Sequence, residues 1–123
     1  MTKKILICDD EPYILESVSY IAKQAGYDFL TAEDGEESVD LAIKEKPALM
    51  ILDVNMPRLT GFEVCERLKN DPETKDIFII MLTARGQERD ERIGLEVGAD
   101  EYITKPFSPR NLRKRMDEVL GAL

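Results

Sequence analysis

Five side chains in this sequence can handle a phosphoryl group or a hard cation, and each stands just after a short predicted strand. Asp9 and Asp10 follow Ile5-Leu6-Ile7-Cys8, Asp53 follows Leu49-Met50-Ile51-Leu52, Thr83 follows the run 77–82, and Lys105 follows 101–104. Three carboxylates gathered in one place repel one another, since two unit charges about 4 Å apart interact by roughly 4 kcal/mol at an effective dielectric of 20. Such a cluster raises the pKa values of its members or binds a counter-charge. The chain contains no histidine, so imidazole-metal sites and histidine-based triads are excluded and any metal is held by oxygen. Mg²⁺ or Ca²⁺ fits that donor set, and Mg²⁺, which keeps several waters and needs few protein ligands, suits three acids. A carboxylate can also act as a nucleophile and form an acyl phosphate. The Lys105 ammonium and the Thr83 hydroxyl would then supply charge and a donor to the phosphoryl oxygens, with Ala84 keeping the approach open. No glycine-rich or aromatic nucleotide cradle accompanies them, so the donor is a phosphoryl group carried by another molecule.

The elements that must position these residues alternate. The strand at Ile5–Cys8 gives way to a helix opened by Pro12, with Ile14, Val18, Ile21, Ala22 and Ala25 at helical spacing and Gly26 closing it. A strand over 27–32 follows. Asp34-Gly35-Glu36-Glu37 reads as a capping box before a second helix whose inner face is Val39, Ala42 and Ile43, ended by Pro47. The run 49–52 is uninterrupted apolar, which predicts a parallel strand covered on both faces. After the loop 54–59, Thr60-Gly61-Phe62-Glu63 is a second capping box for a helix to about Asn70, and Asp71-Pro72 is a turn. The run 77–82 is the strongest strand signal, with Thr83-Ala84-Arg85-Gly86 as the loop beyond it. Ile93 and Val97 mark a fourth helix with the weakest apolar face, ended by Gly98. A fifth strand over 101–104 leads into a Lys105-Pro106-Phe107 turn. Ser108 caps the last helix, with Pro109 first and Leu112, Met116, Val119 and Leu120 facing inward. Five strand–helix repeats predict an α/β fold, a doubly wound (βα)5 three-layer sandwich around a parallel sheet. The chemical residues share its carboxyl edge, where open α/β sheets bind ligands.

The chain has 123 residues and a net charge of -8 from 17 basic and 25 acidic side chains. That length predicts one domain over 1–123, with no effector domain in this chain. The acidic balance disfavours direct contact with nucleic acid. No segment approaches the roughly 18 apolar residues of a membrane span, and the N-terminal apolar run is too short for a secretory signal. The two cysteines, Cys8 and Cys65, read as small buried hydrophobes in a reducing compartment, which points to the cytoplasm.

The sequence resembles the receiver domain of two-component response regulators, in particular the stand-alone chemotaxis and sporulation receivers, from Lys4 to Leu120. The segments that carry the likeness are Ile7-Cys8-Asp9-Asp10-Glu11, Leu52-Asp53-Val54-Asn55-Met56-Pro57, Thr60-Gly61-Phe62-Glu63, Leu82-Thr83-Ala84, Gly98-Ala99-Asp100-Glu101-Tyr102 and Lys105-Pro106-Phe107. The resemblance implies a flavodoxin-like sheet of order 2-1-3-4-5, with Asp53 as phosphoacceptor. Mg²⁺, or Mn²⁺ in its place, would be bound by Asp10, Asp53 and the Asn55 backbone carbonyl, with Asp9 acting through a water. Thr83, Lys105 and Ala84 would contact the phosphoryl group, and Thr83 and Tyr102 would form the switch. Asn55 and Arg85 would tune dephosphorylation. Pro57, Gly61 and Pro106, whose peptide bond to Lys105 is commonly cis in relatives, would be structural. The donor would be a sensor histidine kinase or a histidine phosphotransfer protein, and the receiver of the signal an effector or target protein.

On that likeness the chain is a phosphorylation-dependent switch with Mg-dependent self-phosphorylation and slow autophosphatase chemistry, not an enzyme with a diffusible substrate. The output face would be the fourth helix, fifth strand and fifth helix, bearing Arg92, Glu96, Arg110, Arg113 and Asp117 and able to support a homodimer. Two other readings compete. Asp53-Val54-Asn55 begins like the nucleophile motif of haloacid-dehalogenase phosphatases, which need a second Asp where Asn55 stands. A non-phosphorylated or flavin-binding interaction module of the same fold is the other.

Overall fold

The protein is described here from a computed structural model covering residues 3–84 and 88–121, the side chains of 88–91 excepted. Its elements alternate as β1 (Lys4–Cys8), α1 (Pro12–Gln24), β2 (Asp28–Ala32), α2 (Gly35–Glu45), β3 (Leu49–Asp53), α3 (Gly61–Lys69), β4 (Phe78–Ala84), α4 (Glu88–Glu96), β5 (Glu101–Lys105) and α5 (Pro109–Gly121). The strands form one parallel sheet in the order β2-β1-β3-β4-β5. This is the predicted doubly wound fold, with chain order reversing between β1 and β3.

The sheet separates two cores. Because successive strand residues point to opposite faces, Ile5, Ile7, Leu49, Ile51, Ile80 and Leu82 pack with α1 and α5. Leu6, Cys8, Met50, Leu52, Ile79 and Met81 pack with α2 and α3. The central strand β3 is buried along its whole length, as its unbroken apolar run requires. Both cysteines are buried, and burial pushes the thiols up, Cys8 to about 12 and Cys65 to about 11. They behave as packing residues.

Several local expectations are corrected. Ile43 is 44% exposed: the buried arc of α2 is centred on Gly35, Ser38, Val39 and Ala42, and at about 100° per residue Ile43 falls a quarter-turn off it. Asp34 caps α2 by accepting from the Glu37 amide at 2.8 Å, but the Glu37 carboxylate takes the amide of Glu33 instead of closing the box on Asp34. The Thr60–Glu63 box on α3 is complete. Thr83, Ala84 and Lys105 belong to strands, not loops, because Thr83 pairs with Thr104 and Ala84 with Lys105. Asp117 turns away from the α4–β5–α5 face and accepts from the Tyr27 hydroxyl at 2.6 Å on the α1 side. In α4, Gly94 is buried, Ile93 only partly so, and Leu95 is 52% exposed, which fits its weak apolar face. No helix among the described residues is long and apolar enough to cross a membrane.

At the amino edge of the sheet, Lys69 ties three segments together. Its ammonium donates to the carbonyls of Lys75 and Ile77 and to Asp100 Oδ2, at 3.1, 2.7 and 2.8 Å. The same Asp100 oxygen accepts from the Ile79 amide. Hydrogen bonds to charged groups are worth about 1.5–3 kcal/mol. Lys69→Met is therefore expected to lower unfolding stability by about 2 kcal/mol in urea melts, and Asp100→Asn by less, since an amide oxygen still accepts from Ile79. Equal losses for the two variants would show that the ammonium is not the organising group.

Candidate functional site

The register of the sheet assembles the site. Cys8 pairs with Leu52, so one step further Asp9 and Asp53 stand side by side, and Asp53 pairs with Leu82. Asp9 and Asp53 continue the α1/α5-facing alternation of Ile5-Ile7 and Leu49-Ile51, and Lys105 continues that of Ile103. The side-chain contacts agree. The Lys105 ammonium lies 2.9 Å from Asp9 Oδ2, 3.3 Å from Asp53 Oδ1 and 3.5 Å from Glu11 Oε1. One carboxylate oxygen from each of Asp9, Asp10 and Asp53 falls within 4.8 Å of the others. Asp9 and Asp53 are buried, while Asp10 is exposed at the mouth.

Behind Asp53 the loop is set by close packing. Val54 donates to the Leu82 carbonyl, and the Gly61 amide returns to the Val54 carbonyl at 2.8 Å. A Cβ on Gly61 would overlap the Asp53 carbonyl oxygen and lie 2.9 Å from Val54 Cα, so only glycine lets α3 start against the strand end. Asn55 is exposed and Met56 buried. The Lys105–Pro106 peptide is cis.

Thr83 lies on the other face alternation with Met81, and Met81 pairs with Tyr102. Thr83 is 1% exposed, and its hydroxyl has no hydrogen-bond partner among the described residues. A buried hydroxyl without a partner costs free energy, which makes it a donor in want of an acceptor. Tyr102 is 39% exposed. Arg85 lies outside the described residues. Glu11, the third acid on Lys105, stands in the sequence as part of a motif and not as a site residue. The run Asp9-Asp10-Glu11 was the available signal, masked by the helix start at Pro12.

The electrostatics follow from counting charges. Burial pushes the Asp53 carboxyl up to about 6 and the charge of Asp9 adds to this, while Lys105 and the Asn55 backbone N–H pull the other way. Burial draws Lys105 down, but its hydrogen bond to Asp9 and the charges of Asp53 and Asp9 outweigh that and hold it above its ordinary value. One ammonium shared between two buried carboxylates does not neutralise both. The donor set of three clustered carboxylates fits a hard divalent cation, and such an ion would supply the missing charge.

Comparison with known proteins gives one answer. A family model for the response regulator receiver domain matches residues 5–117. The chain is 49% identical over 121 residues to the alkaline phosphatase synthesis transcriptional regulatory protein PhoP of Bacillus subtilis, covering 98% of this chain and 49% of that one. It thus spans about half the length of the curated relatives it matches. Among solved structures it is similar to the chemotaxis response regulator CheY4 of Vibrio cholerae, with a TM-score of 0.89 at 36% identity, covering 97% of this chain and 99% of that one. A CheY-like receiver domain protein of Methanospirillum hungatei superimposes with a TM-score of 0.91 at 30% identity, covering 99% and 96%.

A pH prediction follows from Asp53. A folded pKa near 6 against 3.8 in the unfolded chain means the carboxyl binds its proton more tightly when folded. Its relative contribution is full below the unfolded value and is lost as pH rises through about 6, by about 3 kcal/mol in all. Lys105 remains charged throughout that window. Without Mg²⁺, Asp53→Asn should match wild type near pH 4 in urea melts and exceed it by up to about 3 kcal/mol at pH 7. Added Mg²⁺ should close the difference. A difference independent of pH would remove charge as its cause.

Proposed function

The chain belongs to the response regulator receiver domain family, and we propose that Asp53 is the residue through which it is switched. A receiver is a phosphorylation-dependent signalling module, not an enzyme that turns over a diffusible substrate, and the family match sets the phosphatase and flavin readings aside. In the proposed reaction an Asp53 carboxylate oxygen bonds to phosphorus while the bond from phosphorus to a donor imidazole nitrogen breaks, leaving an acyl phosphate. The donor is a histidine of a sensor kinase or phosphotransfer protein.

The observation that carries this reading is the Lys105 ammonium 3.3 Å from Asp53, with two further carboxylates clustered there. Lys105 has to exchange carboxylate oxygens for a phosphoryl oxygen, a short movement within its present reach. Thr83 offers a hydroxyl that has no partner among the described residues to another phosphoryl oxygen, and Ala84 keeps the approach clear. A Mg²⁺ or Mn²⁺ ion would be held by Asp10, Asp53 and the Asn55 carbonyl, with Asp9 acting through a water, and would supply the remaining positive charge that phosphoryl transfer needs. Asn55 and Arg85 set how fast water returns the acyl phosphate to carboxylate and inorganic phosphate.

When Thr83 moves to the phosphoryl group it leaves space on the face it shares with Tyr102, and Tyr102 turns in. This is a shift between two packings. It changes the α4–β5–α5 face, which binds an effector or a second copy of the chain. Arg92, Glu96 and Arg110 are exposed and can take part, and Arg115 is tied to Glu101 of β5. The net charge argues against direct binding of nucleic acid by this domain, and the free buried thiols suit the cytoplasm.

Incubation with acetyl phosphate and Mg²⁺ should add one phosphoryl group, about 80 Da by intact mass, and Asp53→Ala should abolish it. An adduct that persists in Asp53→Ala would move the acceptor elsewhere, and none in wild type would end the proposal.

A further inference from the structure

The first turn of α2 is packed against the loop that leaves Asp53. The Gly35 amide donates to the Pro57 carbonyl at 3.2 Å. A Cβ on Gly35 would overlap the Leu59 carbonyl oxygen and lie 2.8 Å from its carbonyl carbon. Those are backbone atoms, so no side-chain torsion relieves the overlap. Between Pro57 and Leu59, Arg58 has φ +74, and the Leu59 amide turns back to the Pro57 carbonyl at 2.9 Å. This is a three-residue turn with positive φ on a non-glycine residue, a costly conformation that persists only when its surroundings impose it. The Arg58 guanidinium reaches back to α2, 3.5 Å from Asp34 and 3.7 Å from Glu36. Those pairs are exposed and contribute little, so the close packing at Gly35 is the firmer hold.

The loop is therefore pinned at its base by Val54, paired to Leu82 and Gly61, and at its apex by α2. Asn55 sits between the two pins. We infer that Gly35 is a positioning residue for metal binding: by admitting the loop against α2 it fixes the Asn55 backbone at the mouth of the acid cluster. This rests on the proposed role of the Asn55 carbonyl. An added methyl forces the Leu59 backbone to retreat by on the order of 1 Å to reach ordinary contact. Groups that orient metal ligands typically cost about 10–100-fold in affinity when disturbed.

The experiment is titration calorimetry of Mg²⁺ into the folded protein at pH 7. Gly35→Ala should bind about tenfold more weakly, and its labelling by acetyl phosphate should fall at limiting Mg²⁺ and recover at saturating Mg²⁺. Ala42→Gly weakens α2 away from the loop and should leave Mg²⁺ affinity unchanged. Arg58→Gly relieves the positive φ and loosens the apex, so it should keep or raise the urea midpoint while Mg²⁺ binding weakens. That direction is opposite to what deleting a nearby positive charge does, and it keeps the test open if Gly35→Ala fails to fold. Wild-type affinity in Gly35→Ala, an equal loss in Ala42→Gly, or unchanged or tighter binding in Arg58→Gly would overturn the inference. Failure of wild type itself to bind Mg²⁺, or undiminished binding by Asp53→Asn, would instead overturn the underlying reading of the metal site.

Discussion

Among the described residues, the carboxyl edge of this sheet holds more negative charge than its one ammonium neutralises. Asp9 and Asp53 are buried side by side with Asp10 at the rim, and a single ammonium, Lys105, spans the first two and Glu11. Carboxylates this close, largely out of water, repel by several kcal/mol, and the Asp53 carboxyl responds by holding its proton to about 6. The surrounding fold has to bear that repulsion. It does so with a central strand buried on both faces and with α3 started hard against the strand end at Gly61.

Much of this was legible in the sequence, for a physical reason. Parallel strands buried on both sides must be apolar throughout, so Leu49–Leu52 announced β3, and the acid that ended it announced the edge. What the sequence concealed depends on partners distant along the chain. Thr83 and Lys105 belong to strands because they face Thr104 and Ala84 across the ladder, and no local propensity records that pairing. Ile43 departs from the expected inner face because an apolar residue at helical spacing need not lie on the buried arc. Asp117 departs from the expected face because its partner, Tyr27, comes from the far side of α5. Gly35 reads as an ordinary residue at a helix start, and only the approach of Leu59 shows why it has no side chain.

Strand alternation also divides the labour of the two sheet faces. Asp9, Asp53 and Lys105 continue the face covered by α1 and α5, whereas Thr83 continues the opposite face, shared with Met81 and Tyr102. In the proposed switch, a group attached to Asp53 acts on the second face through a side chain at the strand ends. Thr83, buried and without a hydrogen-bond partner among the described residues, is the side chain to which the proposed switch gives that task.

The opposite end of the sheet is organised on contrary terms. There Lys69 has spent all three of its protons on oxygens, and Asp100 serves both the ammonium and the Ile79 amide. Among the described residues, no buried side-chain polar atom at that end lacks a hydrogen-bond partner. The turn that joins α4 to β5 is thus bolted to the frame, and the sheet acts as a beam clamped at one end and loaded at the other, so that a force applied at the acidic edge has a stationary support to work against.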